Sequence, residues 1–133
     1  MTGEIRWLSI RAVLAIHRMQ IAEHGGDDGV RDISLLESAL AKAQNHAAYG
    51  DAPDIATLAA AYTFGIVKNH PFIDGNKRTG LVAMRTFLIL NGFDVIADQE
   101  EKYFTIMDLA SGTLTEPELI NWIRRRLKSV SGK

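Results

Sequence analysis

The chain has 133 residues, 47% of them hydrophobic and 23% charged, a size and balance that suit one core and exclude a disordered chain. Lysine and arginine number 15 against 16 acidic residues, a formal charge of -1 that removes the general electrostatic case for binding nucleic acid. There is no cysteine to form disulfides or thiolate zinc sites, and no stretch approaches the roughly 20 apolar residues of a membrane span, so a cytoplasmic, unprocessed protein with no membrane contact is expected.

From Leu8 to His24 the apolar residues Leu8, Val13, Leu14, Ile16, Met19 and Ile21 recur mostly at steps of three and four, which predicts an amphipathic helix with Ser9 near its cap. The glycine- and aspartate-rich segment GGDDGVRD, Gly25 to Asp32, breaks it as a loop or short hairpin. Asp32 then caps a second helix, ISLLESALAKAQN from Ile33, which fades into the loop HAAYGDAP. Asp54 caps a third, Ile55 to Asn69, whose alanine and glycine content suits an element packed on most sides. Pro71 ends it near Asn69, because the residue before a proline is driven from helical geometry.

The segment TGLVAMRTFLILNG is expected to be a second buried helix, stopped by Asn91-Gly92 and followed by a short extended piece at Phe93 to Ile96. Helices over Glu101 to Gly112 and Thr115 to Lys128 complete the pattern, the last capped by Thr115 with Pro117 in its first turn. Its terminal cations Arg124, Arg125, Arg126 and Lys128 read as partners of the helix dipole. Ser129 to Lys133 read as a frayed tail. The expected fold is all-α, a single domain over 1–133.

The chemistry concentrates in HPFIDGNKR, His70 to Arg78, between two buried helices. A helix N-terminus offers unpaired amides and partial positive charge, so Lys77, Arg78 and, further on, Arg85 are badly placed there unless an anion lies between them. Phosphate is the natural candidate. Gly75 lacks the Cβ that would block close approach of the amides around Gly75 to Lys77. Asp74 is a hard carboxylate suited to Mg²⁺ bridging phosphates, and His70 brings an imidazole, the side-chain type suited to take a proton from an incoming hydroxyl as a general base. Asn76 either fixes the loop or binds phosphate, and Phe72 reads as an apolar peg.

These residues resemble the signature of the Fic/Doc superfamily, approximately H-x-F-x-[D/E]-x-N-x-R, at every fixed position. The flanking GGDDGVRD, LLESAL and NGF resemble its death-on-curing (Doc) branch, and the likeness covers about 7–128. The resemblance implies a bundle of about six helices with the motif loop between two central ones. It implies His70 as base, Asp74 for Mg²⁺ and loop positioning, Gly75 and Asn76 for the anion hole and Arg78 for phosphate, with His70, Asp74 and Arg78 forming the catalytic set. It also implies that Gly26, Asp27, Asp28, Gly29, Val30 and Arg31 form a flap that aligns the target chain by backbone pairing.

Members that transfer AMP usually carry glycine where this chain has Lys77, whereas the Doc branch has lysine and phosphorylates a threonine of elongation factor Tu, halting translation. A lysine there takes the space of an AMP donor's inner phosphates and turns the nucleotide round, so that the γ-phosphate meets the base. Gly75 is instead the residue that the AMP-transferring branch favours. The implied function is a bacterial toxin of a type II toxin–antitoxin system, using ATP and Mg²⁺ as a kinase. Adenylyl transfer, or a silent antitoxin-binding module, are the alternatives. The chain has no self-inhibitory [S/T]-x-x-x-E-[G/N] stretch, so restraint is expected from a small antitoxin with a disordered C-terminal segment, seated on exposed apolar residues of the first and last helices.

Overall fold

The computed structural model describes residues 4–49 and 54–130. In chain order the elements are α1 (Ile10–His24), α2 (Ile33–Tyr49), α3 (Ile55–Asn69), α4 (Asn76–Leu90), β1 (Phe93–Val95), α5 (Gln99–Ser111), α6 (Glu116–Arg126) and β2 (Leu127–Ser129). The fold is all-α, with a two-stranded antiparallel ribbon of three residues a side as its only sheet among the described residues.

Side-chain caps start five of these helices. Ser9 accepts from the Ala12 amide, Asp32 from those of Ser34 and Leu35, Asp54 from Thr57, Asp98 from Glu101, and Thr115 closes a capping box with Glu118. Each satisfies amides that the first turn leaves without an intrahelical acceptor.

The third helix is the centre. Its buried residues run almost all round the cylinder, from Ala56 and Leu58 through Tyr62 to Ile66 and Val67. Small residues bring its neighbours close: a Cβ on Gly65 would lie 2.9 Å from the Ala39 backbone of α2, and one on Gly80 of α4 would lie 2.9 Å from Val67. The Thr63 hydroxyl donates to the Gly80 carbonyl at 2.9 Å across the second contact. Tyr62, Phe87, Met84 and Leu88 fill the space between α3 and α4, fixing the two helices that flank the motif loop.

Several boundaries differ from the sequence reading. The second helix continues to Tyr49, because HAAY holds no breaker before Gly50; the remainder of that expected loop, 50–53, lies outside the described residues. The fourth begins at Asn76 rather than Thr79, and the fifth at Gln99, where Asp98 caps it and Glu100 and Glu101 meet the dipole. The sixth stops at Arg126, so Lys128 is not helical. Leu127 to Ser129 instead pair with the extended Phe93–Val95, satisfying its edge in the register Phe93↔Ser129, Asp94↔Lys128, Val95↔Leu127. Ser129 therefore belongs to a strand and not to a tail, and the Val130 amide donates to Gly92 at 2.9 Å; 131–133 lie outside the described residues. Two of the three arginines ending α6 find partners within the chain: Arg124 pairs with Asp54 at 2.7 Å, while Arg126 lies over Trp122 and pairs with Glu101.

Candidate active site

His70 is the C-cap of α3, in the left-handed region at φ 56°, ψ 54°, the only non-glycine residue with positive φ among the described residues. Its amide closes the helix on Ile66, and its exposed side chain lines a cleft. Pro71 and Phe72 turn inward, and Phe72 is fully buried. Asn76, only 4% exposed, ties the loop to itself: the Phe72 amide donates to its Oδ1 at 3.0 Å and its Nδ2 donates to the Phe72 carbonyl at 2.9 Å. Of the two uses left open by sequence, the Asn76 side chain here serves the loop.

Gly75 occupies the N-cap of α4 at φ 79°, a conformation glycine takes without a steric penalty, and it brings no side chain to cap the helix. Among the described residues the amides of Asn76, Lys77 and Arg78 have no acceptor, which distinguishes α4 from the five capped helices. Lys77 and Arg78 are exposed beside these amides with no ion-pair partner among the described residues. Arg85 does not belong with them: its Nε lies 3.1 Å from Asp94 Oδ1, a hydrogen-bonded pair that holds the Asp94 carboxyl below its usual range.

The Asp74 carboxylate is exposed in the same cleft, its Oδ1 accepting from the Gly75 amide at 3.0 Å and its Oδ2 from the Asp27 amide at 3.3 Å. A Cβ on Gly26 would come within 2.9 Å of Oδ2, so glycine is what lets 26–27 approach. No group of three or more His, Cys, Asp or Glu side chains able to hold a metal occurs among the described residues. One exposed carboxylate beside unpaired cations instead fits Mg²⁺ arriving with phosphates, which needs only one or two protein carboxylates.

The 26–31 segment is mostly exposed but paired through its backbone with the motif loop. Val30 forms an antiparallel bridge with Phe72; the Arg31 amide donates to Pro71 at 2.7 Å and the Ile73 amide to Gly29 at 3.2 Å. In this bridge pattern the N–H and C=O of Val30 point to the opposite edge, where they have no partner among the described residues. Asp28 approaches His17 Nδ1 only to 3.9 Å.

Two residues hold the loop: Arg31, which the sequence placed only in the flap, and His17, which sequence reasoning passed over. Arg31 donates through Nε to the His70 carbonyl at 2.8 Å and through Nη2 to the Asn69 carbonyl at 3.0 Å. His17, on α1 and 2% exposed, stacks on Phe72 at 3.8 Å between ring centroids and 5° between planes, and its Nε2 lies 2.8 Å from the Asp74 carbonyl. The available signal was its polarity on the apolar face of α1, next to Val13 and Ile16.

Together His70, Asp74, Gly75, Asn76, Lys77 and Arg78 line one side of a cleft of about 600 Å³. The rest of the lining is mixed, with Ile89 of α4 and Tyr103, Ile106 and Met107 of α5 beside the polar Gln99 and Lys102. The exposed apolar residues expected on the first and last helices are mostly not there. Met19 is the one large exposed hydrophobic on α1, α6 offers none among the described residues, and Tyr103, Phe104 and Met107 of α5 with Ile89 and Leu90 of α4 carry that surface, since α5 has no further layer packed over it.

A left-handed histidine, a carboxylate and an uncapped helix start with two free cations make a site able to deprotonate a hydroxyl beside a bound polyphosphate. Known proteins are similar to this chain. Over 121 residues, 91% of this chain and 95% of the relative, the sequence is 29% identical to a protein named protein kinase doc from Escherichia phage P1. Over 75 residues, 56% of this chain and 58% of the relative, it is 43% identical to a protein named toxin Doc from Mycolicibacterium smegmatis, so that match spans little more than half of either protein. The Fic/DOC family model matches residues 7–88, from just before α1 through the motif loop into the last turn of α4, and on that match the chain belongs to the Fic/DOC family.

Proposed function

We propose that this protein is the toxin of a type II toxin–antitoxin system, a Doc-like kinase that passes the γ-phosphate of ATP to a serine or threonine hydroxyl of another protein. The observation that carries the reading is the uncapped start of α4, with Lys77 and Arg78 unpaired beside it and His70 and Asp74 lining the same cleft. Similarity to a relative named as a kinase adds to it.

In this reading His70 takes the proton of the target hydroxyl as its oxygen bonds the γ-phosphorus. The bond from that phosphorus to the β–γ bridging oxygen breaks, and ADP leaves with the electron pair. The amides of Asn76 to Arg78 and the Arg78 guanidinium bind the charge that develops on the phosphoryl oxygens. Asp74 is the ligand for Mg²⁺, which when bound neutralises phosphate charge. Lys77 occupies the space that the inner phosphates of an AMP donor need. The target chain adds as a strand to the free edge at Val30. By the family resemblance that target is elongation factor Tu, with arrest of translation as the consequence, and a small antitoxin whose disordered C-terminal segment folds on the toxin restrains it in the cytoplasm. The apolar residues available to that segment are those of α4 and α5.

Gly75 favours a second reading, transfer of AMP, because by the family resemblance it is the residue that the AMP-transferring branch favours at this position. Purified protein incubated with a bacterial extract and either γ-labelled or α-labelled ATP separates the two. Label from the γ position alone is expected; label from the α position indicates adenylylation, and none from either leaves a silent antitoxin-binding module. His70→Ala is expected to abolish incorporation.

A further inference from the structure

The Asp74–Gly75 peptide is the hinge of the motif loop. Its carbonyl faces inward to His17 Nε2 at 2.8 Å, and its N–H faces outward and donates to Asp74 Oδ1 at 3.0 Å. In a trans peptide these two groups point in opposite directions, so fixing one fixes the other. Glycine on the C-terminal side of a peptide makes a flip of that plane inexpensive, because Gly75 tolerates either sign of φ. A flipped plane would withdraw the N–H from the carboxylate and turn a carbonyl oxygen toward the cleft, where phosphate is to bind.

We propose that His17 is a positioning residue of the transfer site that locks the Asp74–Gly75 peptide against this flip. Three features of His17 serve that purpose. A carbonyl can only accept, so Nε2 carries the proton and donates. The ring cannot swing away, being 2% exposed and stacked flat on Phe72 of the same loop. Its other nitrogen makes no hydrogen bond among the described residues, the Asp28 carboxylate staying 3.9 Å away. Gly75 also lies close to the ring: a Cβ there would meet His17 Cδ2 at 3.6 Å and Ile21 at 3.2 Å, so α1 is packed directly under the hinge. Loop and helix are far apart in sequence, and this contact holds the end of the loop at Asp74, while Arg31 holds the other end at Asn69 and His70.

The proposal rests on the transferase reading for its activity readout but not for its structural one. His17→Gln keeps an N–H donor at similar reach and His17→Met keeps the length without the donor. If His17 only fills space, the apolar methionine is the better replacement in both stability and turnover. The lock predicts opposite orders: methionine at least as stable in thermal unfolding, yet with kcat for label transfer about tenfold below glutamine, and a smaller change in KM for ATP. Hydrogen exchange of the Gly75 amide is expected to be about tenfold faster in the methionine variant than in the glutamine variant, with α6 amides unchanged in both. Equal exchange at Gly75 in the two variants overturns the lock. Should the parent transfer no label at all, the proposed function falls while the exchange comparison still decides the role of His17.

Discussion

Arg31 reaches across from the flap to the catalytic histidine candidate, its Nε donating to the His70 carbonyl at 2.8 Å while Nη2 takes the Asn69 carbonyl at 3.0 Å. A guanidinium at the C-terminus of α3 satisfies carbonyls that the helix leaves free and meets the negative end of its dipole. The same fork joins the segment proposed to receive the target to the residue proposed to activate it. Arg31→Ala is expected to cost about 1 kcal/mol in urea unfolding, the low end for charge-assisted bonds because the side chain is exposed, and to lower kcat several-fold. Arg31→Lys, which cannot fork, is expected to recover less than half of the lost turnover. Parent-like kcat in Arg31→Ala would remove the link.

His70 itself is held against its backbone preference. A non-glycine residue in the left-handed region costs about 1 kcal/mol or more, and glycine relieves it. His70→Gly and His70→Ala should both be inactive, but the glycine variant should exceed the alanine variant by about 1 kcal/mol in chemical unfolding. Equal stabilities would mean that the loop relaxes once the imidazole is gone.

Local chemistry was legible where it acts over one helical turn. Ser9, Asp32, Asp54 and Thr115 cap the helices expected of them, because a side-chain oxygen three residues ahead of a free amide needs no tertiary help. The density of alanine and glycine in α3 likewise reports close neighbours on several sides. What stayed hidden depends on distant partners. The strand at Leu127–Ser129 exists because Phe93–Val95 lies beside it, and the flap is ordered by pairing with Pro71 to Ile73. Arg31 read as one flap residue, and nothing in the sequence singled out His17. Only the approach of the motif loop gives either its contact, and Arg85 was withdrawn from the anion group by Asp94, nine residues on in the chain.

The partition between phosphoryl and adenylyl transfer turns on Lys77, exposed in the first turn of α4 and free of ion pairs among the described residues. Removing its side chain opens the space beside Gly75, so Lys77→Gly is expected to lower incorporation of γ-label about tenfold and to raise α-label above background. The substitution places a second glycine in the helix start and should cost up to about 1 kcal/mol of stability, which circular dichroism on heating will register. A γ-to-α ratio identical to the parent would take Lys77 out of the choice of reaction.

Acid sensitivity should show at the far end of α3, where Asp54 caps the helix and meets Arg124 at 2.7 Å. The hydrogen bond from Arg124, aided by those from Thr57, brings the Asp54 carboxyl from 3.8 down to about 2 against the opposing effect of partial burial. Between those values the unfolded chain binds the proton and the folded one does not, so the pair's contribution is full above about pH 4 and is lost as pH falls toward 2. Asp54 and Arg124 are both about half exposed, so solvent screening keeps the contribution small. Urea unfolding of the parent and Arg124→Ala should therefore differ slightly at pH 7 and converge near pH 2. The cap bonds from Thr57 remain in the variant, so its α3 should still be helical at pH 7. A difference that persists undiminished at pH 2 would assign the stabilisation to the arginine's packing or to its bond with Asn121 rather than to the ion pair.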